Sequence, residues 1–268
     1  MTTQDGTQAI RRAAAILQRI ARVTGDRDNT LPKISASMCL SRSTTHRILK
    51  CLTDTGLAAY DPVTRRYEIG LLSYELGLAV TDAVLDLVAW RTAADRIARR
   101  TEVTTYLMRR SGIEAVCVHK AEGTSVIRVI PVELGQRRYL GVGAGSAALL
   151  AALDDATVER IIAAIEPELG GYADIDADAI RAEVAETRAT GFSTSRSRVY
   201  RAIFGLGMAI PSPDGPTELA LSIAAHESGV TPARIELWKA VLRDEIERTR
   251  TSARVPASLA VQDTVPER

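Results

Sequence analysis

The sequence predicts an α+β fold, in which an N-terminal winged helix-turn-helix is joined by a helical connector to a second α/β domain. The chain has 268 residues, 46% of them hydrophobic, which is enough for one large domain or two smaller domains, each with a buried hydrophobic core. Three helical segments and a hairpin are predicted within the first 70 residues. After residue 100, strand patterns lie between helical ones, as is typical of an α+β domain.

The first predicted domain, 1–70, contains three helices followed by two strands. Apolar residues recur every three or four positions in its helices, the period of an amphipathic helix. The first predicted helix begins at about Gln8, the second covers 31–38 and the third covers 42–55. The predicted strands cover 57–60 and 66–69. Gly56 ends the third helix, and Asp61-Pro62-Val63-Thr64 has the composition of a turn between the strands. This order of elements is that of a winged helix-turn-helix.

The rest of the chain divides into a connector, a second domain and a tail. Residues 71–100 have mostly helical apolar spacing, which predicts a connector and a candidate dimer surface. In the second domain, 101–250, the predicted strands cover 103–108, 114–119, 126–130, 208–210 and 219–224. The predicted helices cover 147–153, 158–165, 177–190 and 231–249. Residues 251–268 lack helical periodicity, and we expect this tail to be disordered.

Composition and charge exclude several classes of protein. No run of 18 apolar residues predicts a membrane helix, and the N-terminus lacks a signal-peptide pattern. Cys39, Cys51 and Cys117 have no metal or redox spacing, so we expect free thiols in the cytoplasm. The formal net charge is +1, yet residues 1–70 carry 11 basic and 6 acidic side chains, or +5, and the remainder carries −4. The positive charge of residues 1–70 indicates a small domain that binds a polyanion.

The third predicted helix has an apolar side and a polar, cationic side. Ile48, Leu49 and Leu52 mark the apolar side, and the opposite side offers the hydrogen-bonding and cationic groups that a major-groove helix needs. The predicted DNA-binding residues on this helix and the hairpin are Ser41, Arg42, Ser43, Thr44, Thr45, His46, Arg47, Lys50, Arg65 and Arg66. The alternative interpretation is a solvated helix face beside an ordinary hairpin.

Residues 31–57, with the hairpin that follows, resemble the DNA-binding domain of IclR-type transcriptional regulators. The matching motifs are Leu40, Ser43-Thr44-Thr45-His46-Arg47-Ile48-Leu49, Gly56, Asp61-Pro62 and Tyr67-Glu68-Ile69-Gly70. The glycine usual in the family's turn is Cys39 here. The resemblance extends more weakly to about residue 250. It implies a GAF-like effector-binding domain and a homodimer or dimer of dimers on a palindromic double-stranded DNA operator.

A glycine-rich loop at 141–146 has two interpretations. Backbone amides at a helix start bind anions, which suggests a dinucleotide site, but the acidic residue expected about 20 positions later is not in place. The resemblance instead makes this loop one wall of an effector pocket, with Ser146-Ala147 where the family commonly has Gly-Lys. The residues that it assigns to that pocket are Ile127, Ile130, Arg138, Gly143, Ala144, Gly145, Ser146, Ser222 and Ala224.

Residues 187–213 contain four arginines and no acid. They are Arg188, Arg196, Arg198 and Arg201. One interpretation is a solvated loop, or arginines that pair with acids elsewhere. The other is that Arg196 or Arg198 faces the pocket and binds a carboxylate, so that the effector is a small organic acid.

Catalysis has little support in the sequence. The three histidines, His46, His119 and His226, form no Ser-His-Asp or metal-ligand pattern. We therefore expect no catalytic residue, no metal and no cofactor. The sequence predicts a one-component transcriptional regulator that binds DNA and a small-molecule effector, and the alternative is a small-molecule-binding enzyme with an appended helical module.

Overall fold

The computed structural model describes residues 3–22, 29–78, 85–125, 131–172, 174–197, 199–212 and 216–253. The chain forms two compact units. Unit 1 comprises Met1–Val84 and Val132–Arg137, and unit 2 comprises Leu85–Pro131 and Arg138–Arg268. The boundary falls inside the predicted connector, so that its two halves belong to different units.

Unit 1 contains the predicted winged helix-turn-helix. Its elements are α1 (Thr3–Arg22), α2 (Leu31–Ser37), α3 (Arg42–Asp54), β1 (Ala58–Asp61), β2 (Arg66–Ile69) and α4 (Leu71–Leu78). The two strands form an antiparallel hairpin in which Ala58 lies opposite Ile69. The apolar core joins all three first helices to the hairpin through Ile16, Ile20, Ile34, Leu49, Leu52, Ala58 and Tyr67. The winged helix-turn-helix is therefore confirmed, with α1 beginning five residues before the predicted start at Gln8.

The turn between α2 and α3 is held by backbone hydrogen bonds. The Cys39 N–H donates to Ala36 and the Leu40 N–H donates to Ser35. Cys39 has a φ of 50°, in the left-handed region that favours glycine. The family's usual glycine at this position therefore matches what the backbone requires.

Unit 2 is built on one six-stranded sheet. Its strands are β3 (Thr104–Ser111), β4 (Glu114–Ala121), β5 (Arg137–Tyr139), β6 (Ser193–Arg196), β7 (Ile203–Ile210) and β8 (Leu219–His226), in the order β5-β4-β3-β8-β7-β6. Its helices are α5 (Leu85–Thr101), α6 (Ala144–Ala151), α7 (Asp155–Ile165), α8 (Ala177–Thr190) and α9 (Pro232–Ala253). Side-chain oxygens of Asp154 and Asp176 cap α7 and α8, which explains where these helices begin.

Helices cover both faces of this sheet. The helix α6 lies on one face, which we call the α6 face, where Gly145 packs against Met108 and Ser222. The opposite face carries α5 and α9: Trp238 of α9 stacks on Phe204 of β7 with ring centroids 6.2 Å apart. This arrangement confirms the predicted α+β class.

Some predicted elements differ from the structure or lie outside the described residues. The strand predicted at 126–130 lies outside the described residues, as do residues 254–268 of the predicted tail. The first residues of that tail, 251–253, are not disordered but form the end of α9, which extends to Ala253. The strand β6 was not predicted, because its sequence, Ser-Thr-Ser-Arg, has no apolar alternation. Within the described residues, no helix combines the length and apolar character needed to cross a membrane.

Candidate nucleic-acid interface and effector site

The helix α3 presents a polar surface because its apolar side is fixed in the core of unit 1. Ser41 caps the helix, accepting a hydrogen bond from the Thr44 N–H at 3.2 Å, so the first turn is well ordered. Leu49 and Leu52 are buried on the inner side. The side chains exposed on the other side are Ser41, Arg42, Ser43, His46, Arg47 and Lys50, and Thr44 is partly exposed. The structure thus brings these predicted residues onto one surface.

Thr45 departs from this pattern and corrects the sequence prediction. Its side chain is 0% exposed, and its hydroxyl donates to the Ser41 carbonyl at 3.0 Å. A buried hydroxyl that is already bonded within the helix cannot reach a base or a phosphate. Lys50 is exposed but lies further along the helix, where it pairs with Asp54 at 2.8 Å.

The hairpin tip is shaped by Asp61 and carries the two predicted wing arginines. The Asp61 carboxylate accepts hydrogen bonds from the Thr64 hydroxyl at 2.5 Å and the Val63 N–H at 2.9 Å. These two bonds lower the pKa of the Asp61 carboxyl. Arg65 is exposed with a φ of 58°, while Arg66 is partly buried at the start of β2. Arg65 is therefore the more accessible of the two for a phosphate or minor-groove contact.

The α6 face carries rows of small and polar residues that run across the strands. Directly opposed residues in antiparallel strands point to the same face, so the strand registers define these rows. One row consists of Ser193, Gly207, Ser222, Tyr106 and Lys120, one residue from each of five strands. The next row consists of Ser195, Gly205, Ala224 and Thr104. Hydroxyls and one ammonium group thus share a largely buried surface.

The first turn of α6 rests directly on these rows. The Ser193 hydroxyl donates to the Ala144 carbonyl at 2.6 Å. A Cβ at Gly207 would lie 2.6 Å from the same carbonyl oxygen, and one at Gly145 would lie 2.8 Å from the Ser222 hydroxyl. Only glycine allows the helix and the sheet to approach this closely.

The structure therefore brings six of the predicted effector residues together. They are Gly143, Ala144, Gly145, Ser146, Ser222 and Ala224. The Ser146 hydroxyl is buried and donates to the Val142 carbonyl at 2.6 Å, in the loop that leads into α6. A cavity of about 10 Å³ between α6 and α8, lined by Gly141, Ile180 and Ser195 among others, has room for about one water molecule.

Arg196, one of the two arginines predicted to bind a carboxylate, lies apart from this group. Arg196 is opposite Phe204 in the β6–β7 register, and its guanidinium stacks on that ring at 5.0 Å. Because Phe204 stacks on Trp238 of α9, Arg196 lies on the face away from α6. This placement does not support the prediction that Arg196 faces the pocket.

Of the remaining predicted effector residues, the structure describes only Arg138. The Arg138 guanidinium donates to the Tyr200 hydroxyl at 3.2 Å and stacks on its ring at 5.2 Å. Ile127, Ile130 and Arg198 lie outside the described residues.

Sequence reasoning missed the polar residues Tyr106, Lys120, Ser193 and Ser195. A lysine directly after the strand predicted over 114–119 was the available signal for Lys120, but its face depends on the bulge between Leu107 and Met108. Within the described ranges, no three His, Cys, Asp or Glu side chains are grouped to hold a metal ion. A separate cleft of about 370 Å³ is lined by Glu102, His226 and Arg234, among others.

Comparison with known proteins follows this division of the chain. The profile of the IclR helix-turn-helix domain matches residues 9–62. The profile described as bacterial transcriptional regulator IclR C-terminal matches residues 84–249. The chain is 26% identical over 252 residues to the HTH-type transcriptional repressor AllR of Klebsiella pneumoniae, covering 94% of this chain and 92% of that protein.

Two solved structures share the fold. The IclR transcriptional regulator from Alicyclobacillus acidocaldarius superposes with a TM-score of 0.73 at 21% identity, covering 91% of this chain and 98% of that one. An IclR homologue from Microbacterium hydrocarbonoxydans, solved in complex with 4-hydroxybenzoate, gives a TM-score of 0.68 at 18% identity, covering 92% and 100%.

A winged helix-turn-helix followed by a ligand-binding α/β domain defines a one-component transcriptional regulator, which binds DNA and responds to a small molecule. The two profile matches cover most of the chain: the first lies in unit 1, and the second lies in unit 2 except for residues 84 and 132–137. The chain belongs to the IclR family of transcriptional regulators.

Proposed function

We propose that the protein binds a palindromic operator through α3 and the hairpin tip, and that a small organic acid bound at the α6 face changes its operator affinity. The observation that carries the proposal is the exposed, cationic surface of a capped α3, with Arg42 at its N-terminus. Recognition helices contact base edges with their N-terminal residues. Arg42 is therefore assigned to a guanine, and Arg65 to a phosphate or the minor groove.

The proposed assembly is a homodimer or a dimer of dimers. The helix α4 is apolar, yet Leu71, Tyr74, Leu76 and Leu78 are each more than half exposed. A second copy that covers this surface removes apolar area from water and places two recognition helices on one operator. A palindromic operator matches the two-fold symmetry of such a dimer.

The proposed effector site is the α6 face. Its hydroxyl groups suit a small polar ligand, and the fold neighbour solved with 4-hydroxybenzoate supports an organic acid. The ligand must bind the DNA-competent and DNA-incompetent states with different affinity, since otherwise it does not shift their equilibrium. The connector, 71–100, is the proposed relay.

The proposal also includes a cytoplasmic location and the absence of catalytic activity. A regulator must reach DNA, and no nucleophile–base pair was identified among the three histidines of the sequence.

The test is operator binding by Arg42→Ala and Arg65→Ala, measured by fluorescence anisotropy on DNA from upstream of the protein's own gene. Arg42→Ala should relax base preference, with a cost of roughly 1–3 kcal/mol at the contacted base pair. Arg65→Ala should weaken binding to all sequences alike and reduce the salt dependence by about one counterion.

Arg109→Ala is the matched control, because this arginine is half exposed but lies on β3 in unit 2. Its operator affinity should equal that of the wild type. A sequence-independent loss in Arg42→Ala would contradict the base-reading role.

A further inference from the structure

We propose that Lys120 binds the carboxylate of the effector and thereby makes the protein selective for acids. This inference rests on the proposed effector role of the α6 face. It assigns the carboxylate contact to a lysine near the end of β4, the strand next to one edge of the sheet, instead of to Arg196.

The first argument is the position of Lys120. In the β3–β4 register Lys120 lies opposite Tyr106, and in the β3–β8 register Tyr106 lies opposite Ser222. The three side chains therefore share the α6 face, and Ser222 packs against Gly145 in the first turn of α6. An ammonium group thus stands in the same row as two hydroxyl groups. His119, the preceding residue, lies on the other face and bonds Asp95 of α5 at 2.8 Å.

The second argument is burial. The Lys120 side chain is only 19% exposed, and its ammonium pairs with Glu122 at 3.4 Å. Lysine is rarely covered to this degree, because withdrawing an ammonium group from water is costly unless a negative partner compensates it. Glu122 supplies that negative partner in this structure, and a ligand carboxylate carries the same charge and suits the same ammonium group.

The third argument is the placement of the other candidate cation. Arg196 lies on the face away from α6, where it stacks on Phe204. Lys120 therefore lies on the face where the sequence predicts Arg196.

The chemistry that fits this group is a small carboxylate with further polar oxygen atoms. The carboxylate pairs with the Lys120 ammonium, and the Tyr106 and Ser222 hydroxyls hydrogen-bond to the other oxygens. Glu122 holds the same ammonium in the free protein and competes with the ligand. Replacement of Lys120 and replacement of Glu122 should therefore have opposite effects on acid binding.

The experiment measures ligand binding to the full-length protein by calorimetry and by thermal shift. The probes are acetate, lactate, succinate, benzoate and 4-hydroxybenzoate, each compared with its amide. We expect at least one acid to bind and its amide to bind at least about tenfold more weakly, since a charge-assisted hydrogen bond is lost. Lys120→Met should weaken the binding of that acid by about tenfold or more, and Lys120→Arg should retain part of the affinity.

Glu122→Gln separates ligand binding from a merely structural ion pair. If Lys120 binds the acid, Glu122→Gln binds it as tightly as the wild type or several-fold more tightly. If the pair only stabilises the sheet, both variants lose affinity together, and this result overturns the proposal. Arg196→Met is the control and should bind the acid like the wild type.

Three further outcomes would also overturn the proposal: unchanged acid affinity in Lys120→Met, equal binding of acids and amides, or no binding of any acid in the panel. Operator binding by the same proteins is measured in parallel by anisotropy. If the wild-type protein does not bind the operator specifically, the proposed function is refuted. This result is distinguishable from a failure of the Lys120 proposal, which concerns acid binding.

Discussion

Cys39 has a left-handed backbone conformation in the turn before α3, with a φ of 50°. An L-residue in this region costs roughly 1–2 kcal/mol through the contact of its Cβ with the backbone, whereas glycine avoids that contact. Cys39→Gly should therefore stabilise the protein by about 1 kcal/mol, after the larger unfolded-state entropy of glycine is subtracted. The measurement is urea unfolding monitored by circular dichroism.

The control is Cys39→Ala, which removes the exposed thiol but keeps the Cβ. Its unfolding midpoint should match that of the wild type. Equal stabilisation in both variants would assign the effect to the thiol and contradict the backbone explanation.

At this scale, the sequence predicted the exposed polar side of α3 better than the polar rows of the α6 face. Helical periodicity separated Arg42 and Arg47 from Leu49, because a 3.6-residue period distinguishes the inner and outer sides of α3. It failed at Thr45, which is buried although it lies in a polar run. Arg196 was beyond prediction, because β6 is polar on both faces and only its register with Phe204 shows where the guanidinium lies.

The packing of α5 against α9 depends on one buried carboxylate. Glu245 accepts hydrogen bonds from Arg96 at 2.6 Å and from Arg100 at 3.1 Å, and its side chain is 2% exposed. Burial raises the pKa of Glu245, but the two arginine hydrogen bonds outweigh it, so the pKa is lowered from the ordinary value. The second half of the predicted connector is therefore part of unit 2 rather than a free linker.

Glu245→Gln should destabilise the protein by roughly 1–3 kcal/mol at neutral pH, because the partly exposed Arg96 and Arg100 lose a buried, hydrogen-bonded counter-charge. A lowered carboxyl pKa contributes stability above the ordinary glutamate pKa, and this contribution is lost as the pH falls through the folded-state pKa. The difference between variant and wild type should therefore shrink as urea unfolding is repeated at acidic pH.

Glu236→Gln is the control on the same helix. Glu236 pairs with Lys239 at 2.8 Å, but its side chain is 72% exposed, so the expected loss is below about 0.5 kcal/mol. A pH-independent difference for Glu245→Gln would show that shape, and not charge, is responsible.

At the scale of the element, strand and helix types were predictable where the apolar pattern is regular. The helix predicted over 42–55 is observed as Arg42–Asp54, and that over 177–190 as Ala177–Thr190. The sheet order β5-β4-β3-β8-β7-β6 was not predictable, since it depends on the pairing of β3 with β8, two strands that are far apart in sequence, with Arg109 opposite Leu219. The polar rows of the α6 face depend on that order.

The assembled molecule is expected to be an oligomer because α4 leaves apolar side chains in water. Leu76→Glu should place a charge in the proposed dimer surface, and Leu76 is 53% exposed in the single chain, so the fold should be retained. The molar mass from light scattering should fall to that of one 28.9 kDa chain. Operator affinity should fall with it, because a monomer reaches only one half-site.

Leu237→Glu is the matched control, since Leu237 on α9 is also 53% exposed. It should retain the mass of the wild-type assembly. A Leu76→Glu protein with unchanged mass would show that α4 is not the dimer surface.

The contact between α6 and the glycines of β7 has a mechanical consequence for the whole molecule. The Ala144 carbonyl and the Gly207 backbone are so close that a single added carbon atom does not fit between them. A ligand atom that binds between Ala144 and Gly207 must therefore move the first turn of α6 away from the sheet, because there is no empty space for it to fill. A closely packed site of this kind changes its structure even when the ligand has only a few atoms, whereas a wide pocket would bind the same ligand without any movement.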